Sequence, residues 1–379
     1  MKRSLFSLIP AVTLCAGLLL IAPVHADQTK GAAAPPKAAA APALTAATRA
    51  QVMASLKKGM DYLKKEQGPD GLWDKNYGVS GVAAIAIIND PSAPKADNIK
   101  RVTPTLDAFA KLAKPDGGMY EQAIPHYTTA VSVSALAAAG RPQDQKLIKA
   151  GALYLQQNML DEGEGIAKTD FWYGGMGYGG ATRPDRKADI ISLEYALRAI
   201  HDAETPANDA AWQKALTFLQ RTQNNSETND QKWAANDGGF VYYPGFSYNA
   251  DGPTRSYGSV SYAGLLSYSW ANLKKTDPRV QAVMKWVRDN YTVDENPGLG
   301  QKTVYYYYMV MAKALAALGE PTFTDANGRR HNWREELSQK LISLQHADGF
   351  WVNTVKDEMQ DNPRLVTAFV LTAFEAILK

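Results

Sequence analysis

The chain of 379 residues contains a single cysteine, Cys15. It lies inside an apolar run near the N-terminus, within a segment that has the pattern of a removable signal. The rest of the chain therefore offers no disulfide, no thiol nucleophile and no thiolate ligand for a metal. Its stability has to come from hydrophobic burial, for which a hydrophobic fraction of 45% is ample.

Histidine is also scarce, and the charge is close to balanced. The five histidines show no spacing typical of a zinc site, so we expect no metal and no cofactor. The formal net charge is +3, and Lys2 and Arg3 of the predicted signal account for two of these charges. A nearly neutral mature chain gives no reason to expect nucleic acid or an anionic membrane surface as a partner.

The N-terminal segment has the three parts of a secretory signal. A charged start precedes an apolar stretch from Leu5 to Ala22, and Val24 to Ala26 suits a cleavage site. We therefore predict a signal peptide over residues 1–26, a secreted or periplasmic location, and no stable transmembrane span after cleavage. Residues 27–46 are rich in alanine and proline without a periodic face, which predicts a flexible tether.

No stretch shows sustained alternation of apolar and polar residues, so we expect no extended β-sheet. Instead, six pairs of helical segments recur over residues 47–379, with glycine and aromatic residues in the connecting loops. The second helix of each pair is the more apolar, which places it in an inner layer. The sequence thus predicts an all-α fold, an (α/α)6 toroid with six inner and six outer helices. The predicted inner helices span 79–88, 128–139, 189–201, 259–273, 304–318 and 365–378.

A turn of the type Asp-Gly-aromatic recurs between the paired helices, as at Asp237 to Phe240. Glycine supplies a positive φ, aspartate accepts hydrogen bonds from nearby backbone amides, and the aromatic ring packs between neighbouring helices. We expect Trp73, Phe240 and Trp351 to be packing residues rather than ligand contacts.

These turns resemble a known repeat motif. Gln67 to Trp73, Asp237 to Phe240 and Gln345 to Trp351 are similar to the repeat of squalene and oxidosqualene cyclases and of protein prenyltransferase β subunits. The resemblance spans about Thr48 to Leu378 and implies the α/α toroid of those families. The chain looks most like secreted bacterial toroid proteins related to terpene cyclases. That closer resemblance rests on Gly177–Gly180, Arg183–Asp185, Arg255–Ser259, Tyr305–Tyr308 and Asn362–Ala368.

The chain departs from both known chemistries of these families. Hopene-type cyclases protonate an alkene with an Asp-x-Asp-Asp cluster, but the corresponding windows, Pro125 to Thr128 and Arg255 to Gly258, contain no carboxylate. A single ordinary carboxylic acid is a poor substitute for that cluster. Prenyltransferases bind zinc through Asp, Cys and His, and the approximate equivalents here are Arg255, Tyr257 and Val366. The resemblance therefore implies the scaffold without either catalytic centre.

The candidate ligand-binding residues lie where the inner helices begin. Because every inner helix follows its loop in the same sense, the helix N-termini should gather at one rim, which favours anions. Arg255 is a candidate to bind a phosphate or carboxylate there in a bidentate way, and its alternative is a structural pair with Asp189 or Asp251. Only one or two residues of Tyr305 to Tyr308 can face the cavity, since consecutive helical side chains diverge. The full set is Arg255, Tyr257, Tyr262, Tyr127, Tyr173, Tyr178, Tyr243 and Tyr306.

Three residues are candidates for acid–base catalysis, and each has a structural alternative. Asp189 sits at the start of a predicted helix, where capping is the alternative role. Glu194 lies in the middle of that helix, and its alternative is a salt bridge to Arg198 four residues on. His126 is either an acid–base group or a hydrogen-bonded loop residue. Glu358, in the last loop, is within reach of the rim as a further acid.

Three classes of function remain open. An aromatic cavity suits an apolar or isoprenoid-like small molecule, so the leading hypothesis is a terpene cyclase- or prenyltransferase-like toroid that binds such a ligand. If the protein is an enzyme, a cyclase, isomerase or transferase reaction is expected. The alternatives are a non-catalytic interaction scaffold and a carbohydrate-active (α/α)6 enzyme with paired carboxylates.

Overall fold

Helices form nearly all the regular structure in the computed structural model, which describes residues 44–179 and 187–379. The predicted signal peptide, most of the predicted tether and the stretch Arg183–Asp185 lie outside these residues. Outer and inner helices alternate along the chain. The outer helices are α1 (Ala46–Lys65), α3 (Lys95–Lys111), α5 (Gln145–Gln157), α7 (Ala210–Thr222), α9 (Pro278–Asn290) and α11 (Trp333–Ser343). The inner helices are α2 (Tyr77–Ile88), α4 (Pro125–Ala139), α6 (Ile190–Asp202), α8 (Gly258–Trp270), α10 (Val304–Leu318) and α12 (Pro363–Leu378).

The inner helices form a closed ring. Each packs on the next in chain order, from α2 to α12, and α12 packs back on α2. The outer helices cover this ring, and α11 and α12 both contact α1 across the closure. The fold is the predicted all-α (α/α)6 toroid. In the part of the chain that the structure describes, no helix is both long and apolar enough to cross a bilayer.

The two layers follow from the distribution of apolar residues. In inner helix α8, eleven of the 13 residues are buried, because neighbours surround it on all sides. Outer helix α9 buries a single stripe instead, formed by Val280, Val283, Met284, Trp286 and Val287. Such a stripe at spacings of three and four residues is what a helix exposed on one side requires.

The helix ends differ from the predicted ends by a few residues. Helix α4 begins at Pro125, earlier than predicted, because proline fits the first turn of a helix. Helix α12 begins at Pro363, and the Asn362 side chain caps it by accepting hydrogen bonds from the Arg364 and Leu365 amides. Helix α8 ends at Trp270 rather than near Leu273, because Asn272 has a φ of 58°.

A short hairpin that the sequence pattern did not predict joins α10 to α11. Strand β1 (Phe323–Thr324) pairs antiparallel with β2 (Arg330–His331). Two 3-10 helices, Pro142–Asp144 and Glu162–Glu164, complete the regular elements of the described residues. The hairpin is too short to give the period-two pattern on which strand prediction depends.

The recurring turn has the predicted geometry and also an additional contact. Gly238 has a φ of 86°, and the Asp237 carboxylate accepts a hydrogen bond of 2.9 Å from the Gly239 amide. A Cβ atom on Gly238 would overlap the Ala282 carbonyl oxygen of α9. Turn glycines therefore let five of the six turns lie directly on the next outer helix, whereas Gly298 of the fifth pair meets Asn249 and Tyr257 instead. The equivalent neighbours are Gly71 with Pro104, Gly117 with Ala150, Gly174 with Lys214, and Gly349 with Lys58.

The aromatic residues of the turns are packing residues, as predicted. Phe240 is fully buried. The indole nitrogens of Trp73 and Trp351 donate to the carbonyls of Leu63 and Leu341, at 2.8 and 2.7 Å, in the preceding outer helices. Each of these tryptophans thereby holds its turn to the outer helix of its own pair.

We predict that Gly238→Ala destabilises the protein by about 3 kcal/mol, because a positive φ and a steric overlap act together. Gly300→Ala is the matched control, since Gly300 also has a positive φ but has open space where a Cβ would lie. Its expected cost is about 1 kcal/mol. Urea denaturation measures the unfolding free energy of both variants. Equal losses of stability would show that the contact of Gly238 with α9 contributes nothing to the stability of the fold.

Candidate functional site

A cavity of about 530 Å³ lies at the end of the ring where the inner helices begin. Five inner helices and their preceding loops contribute to its wall, and its volume is typical of small-molecule sites. This is the rim at which the sequence predicts that ligand-binding residues gather. Its aromatic and aliphatic lining consists of Ile124, Tyr127, Tyr178, Ile191, Tyr195, Tyr242, Tyr248, Tyr257, Leu299, Tyr306, Met359, Leu365 and Phe369.

Polarity changes from the mouth of this cavity to its depth. Among the described residues, the charged ones in the lining are Lys302, Asp357 and Glu358, and all three lie in loops, with Lys302 and Glu358 exposed. The inner wall is formed by buried residues such as Tyr306 and Phe369. An apolar group fits the depth, and a polar group fits the mouth.

The tyrosines of the inner wall contact one another edge to face. The ring centroids of Tyr127 and Tyr195 are 4.9 Å apart at 75°, and those of Tyr306 and Phe369 are 5.9 Å apart at 67°. Burial raises the pKa of Tyr127 to about 12 and that of Tyr306 well above its usual value. These phenols are therefore protonated at neutral pH and remain hydrogen-bond donors.

Tyr306 differs from its neighbours in how its hydroxyl is used. The Tyr307 and Tyr308 hydroxyls donate to the Thr292 and Val293 carbonyls, at 2.7 and 2.8 Å. The Tyr306 hydroxyl is buried and has no hydrogen-bond partner among the described residues. Of the four consecutive tyrosines, Tyr306 is the one that lines the cavity. This agrees with the expectation that one or two of them would do so.

The other proposed ligand-binding residues divide into two groups. Tyr127, Tyr178 and Tyr257 line the cavity along with Tyr306. Arg255 does not line it, and its side chain is exposed.

Three further tyrosines lie in the packed wall or the outer loops. The Tyr262 ring packs edge to face on Tyr307, 5.6 Å away, between α8 and α10. Tyr243 stacks on Phe246 at 4.7 Å, outside the cavity lining. The Tyr173 hydroxyl lies 3.4 Å from a carboxylate oxygen of Glu162 in the same outer loop.

The two proposed acids of α6 have different environments. Asp189 is fully buried and caps the helix, accepting hydrogen bonds from the Ser192 amide and hydroxyl at 2.8 and 2.9 Å. Glu194 is also fully buried, and one carboxylate oxygen lies 3.3 Å from Lys313 Nζ. Arg198, the partner considered from the sequence, pairs with Asp202 at 3.4 Å. Burial lowers the pKa of Lys313 to about 8.

His126 lies near the cavity but is not part of its lining. Its Nδ1 atom is 3.0 Å from the Gly177 carbonyl, so this nitrogen carries the hydrogen when the ring is neutral. Burial lowers the pKa of His126, which favours the neutral form. Among the described residues no group of three or more His, Cys, Asp or Glu is arranged to hold a metal ion.

Sequence reasoning missed several lining residues, notably Tyr195, Phe369 and Lys302. The signal for Tyr195 was present, because Ile191, Tyr195, Arg198 and Asp202 recur at spacings of three and four along α6. Glu358 does reach the rim.

Known proteins resemble this chain in structure rather than in sequence. No family model and no curated protein matches it. Type II terpene cyclase MstE from Scytonema, in complex with geranylgeranyl dihydroxybenzoate as substrate, aligns with a TM-score of 0.54 and 10% identity over 88% of this chain and 99% of that one. A polysaccharide lyase aligns with a TM-score of 0.54 and 12% identity over 87% of this chain and 97% of that one. A glycosidase in complex with glucose aligns with a TM-score of 0.51 and 11% identity over 88% of this chain and 99% of that one. At such identities the similarity shows the toroid fold alone.

We predict opposite effects of removing the hydroxyls of two adjacent tyrosines. Tyr306→Phe removes a buried hydroxyl without a partner among the described residues, and should stabilise the ligand-free protein by about 1 kcal/mol. Tyr307→Phe removes a made hydrogen bond and should cost about 1 kcal/mol. Thermal and urea denaturation of the two variants provides the comparison. Destabilisation of Tyr306→Phe similar to that of Tyr307→Phe would show that the Tyr306 hydroxyl has a partner.

We also predict that Glu194 and Lys313 are energetically coupled. Glu194→Met or Lys313→Met leaves one buried ionisable group without its partner and should cost about 3 kcal/mol. The double variant should cost much less than the sum, because it leaves neither charge behind. A double-mutant cycle of unfolding free energies measures this. Additive losses would contradict the coupling.

Proposed function

We propose that this protein is a secreted or periplasmic toroid that binds an apolar, isoprenoid-like small molecule. The ligand occupies the 530 Å³ cavity at the start of the inner helices. The observation that carries the proposal is the separation of polarity among the described lining residues: tyrosines and aliphatic side chains form most of the wall, and the charged residues lie in the loops at the mouth.

The wall suits a branched hydrocarbon chain. Tyr127, Tyr195 and Phe369 present ring faces and edges, and Ile191 and Leu365 add aliphatic surface between them. Burial of such a chain gains about 25 cal/mol for each Å² of apolar surface removed from water. Rigid aromatic walls lose little conformational freedom when the ligand enters, which preserves that gain.

Polar groups in the cavity fix the orientation of the ligand. Lys302, Asp357 and Glu358 would contact its hydrated head group at the mouth. The Tyr306 hydroxyl is a donor for one oxygen farther inside. MstE holds a substrate with a geranylgeranyl chain, and its toroid fold supports the same class of ligand here.

The proposal assigns binding rather than cyclisation to this cavity. Protonation of an alkene requires a strong, desolvated acid. Among residues 44–179 and 187–379, the carboxylates in the lining are Asp357 and Glu358 in a loop at the mouth, while buried Glu194 is engaged with Lys313. A carbohydrate-active enzyme would need two carboxylates that face each other across the substrate. Asp357 and Glu358 are consecutive in one loop instead.

We predict that geranylgeraniol binds the purified protein and that Ile191→Trp weakens this binding at least about tenfold, because the larger side chain fills the cavity. Leu153→Trp is the matched control, since Leu153 is 50% exposed on an outer helix. Titration calorimetry in detergent-free buffer measures both affinities.

Native mass spectrometry of the protein from its own host supplies the second readout. An isoprenoid lipid that remains bound, on a chain that has lost residues 1–26, is the expected result. Failure of wild-type protein to bind geranylgeraniol, or equal affinity in Ile191→Trp, would reject the proposal. Binding of a neutral oligosaccharide in its place would support the carbohydrate alternative.

A further inference from the structure

A second cavity, of about 620 Å³, lies at the opposite end of the ring, where the inner helices finish. All six inner helices contribute residues from their last turns or C-terminal caps, and Arg334 of outer helix α11 completes the wall. Its chemistry differs from that of the aromatic cavity. The polar lining residues are Asn89, Arg198, Asp202, Trp270, Lys313, Arg334, Thr372, Glu375 and Lys379.

Arg334 is a buried cation without a carboxylate partner among the residues that the structure describes. Its residue is 7% exposed, and it forms no salt bridge with any described residue. Its Nε atom donates to the Ile377 carbonyl at 3.2 Å, and its guanidinium lies 4.3 Å from the Trp333 ring centroid. Neither contact carries a full negative charge. A buried charge without a counter-charge is unfavourable, and an anion in the cavity would relieve this cost.

Three further polar groups of the same wall are buried without partners. The atoms are Trp270 Nε1, Thr372 Oγ1 and Glu375 Oε1, for which no hydrogen-bond partner exists among the described residues. Trp270 and Thr372 supply donors. Burial raises the pKa of Glu375 well above its usual value, which favours the neutral carboxyl form, and a neutral carboxyl group can donate. The wall therefore combines a cation with several unused donors.

Helix dipoles account for only part of this arrangement. The C-terminal ends of six inner helices carry partial negative charge, and Arg198 and Lys313 lie where cations offset it. The offset of helix charge by cations does not explain why the Trp270 and Thr372 hydrogen-bond donors also lie in this wall. It also does not explain Arg334, which lies in the first turn of its own helix, where a cation is unfavourable.

We propose that this cavity, lined by Arg334, Lys313, Trp270 and Thr372, is a second binding site for a small molecule that bears a phosphate or carboxylate group. Arg334 supplies the positive charge, since Lys313 is already paired with Glu194, and the indole and hydroxyl groups donate hydrogen bonds to the anionic oxygens. The inference is independent of the ligand proposed for the aromatic cavity, because the two walls share no lining residue.

Titration of the full chain with inorganic phosphate and with succinate tests the site. We expect millimolar or tighter affinity for at least one of them. Arg334→Gln should weaken it about tenfold or more through loss of a charge-assisted hydrogen bond, and Thr372→Val should weaken it about threefold. Lys285→Gln, which removes a positive charge from the exposed face of α9, should leave it unchanged.

The outcomes separate the two anion types and the two cavities. Tighter binding of phosphate assigns a phosphoryl ligand, and tighter binding of succinate assigns a carboxylate. Ile191→Trp should not alter either affinity, whatever its effect on geranylgeraniol. Absence of binding by both anions would overturn the proposal. The proposal would also be overturned if the folded Thr372→Val and Arg334→Gln variants both bound the anion as tightly as the wild-type protein does.

Discussion

Direct contact between a turn glycine and the backbone of the next outer helix holds the repeats together. At Gly71, Gly117, Gly174, Gly238 and Gly349 a side chain would collide with that helix, and the contact of Gly349 with Lys58 of α1 closes the ring. Close approach of two backbones needs both the missing Cβ and a positive φ. These contacts fix the spacing of the repeats, so that the apolar inner helices are buried inside the ring. All the inner helices then have their N-termini at the same end.

Parallel inner helices give the ring two chemically different ends. Along α6, Ile191 and Tyr195 line the aromatic cavity, and Arg198 and Asp202, one to two turns later, line the polar one. Helices α10 and α12 show the same change, from aromatic to charged or hydroxyl side chains. The end at which helices begin carries partial positive charge and the other end partial negative charge. The cations at the second end offset its partial negative charge. The phenols at the first end are neutral, so the partial positive charge of the helix starts remains available to interact with a ligand.

The sequence predicted the end of the ring at which the aromatic cavity lies better than the residues that line it. Tyr127, Tyr178, Tyr257 and Tyr306 line the cavity, whereas Tyr262 and Tyr243 are packed elsewhere. All six are tyrosines near an inner-helix start or in the loop before it, so composition does not distinguish them. Rotation of each helix about its own axis decides which side chain faces inward, and that rotation depends on packing against both neighbours. The pairing of Glu194 with Lys313, 119 residues away, has no local signal for the same reason.

The sequence alone determined the number of helix pairs, their order, the layer to which each helix belongs and the geometry of the turns. These features depend on local patterns: apolar content, helix-ending residues and glycines with positive φ. Tertiary structure alone decided that a cavity lies at each end of the ring, and which side chains line each. It also left Tyr306, Arg334 and Glu375 buried without full compensation by other described residues. Such burial arises where residues far apart in the chain meet, so no local pattern records it.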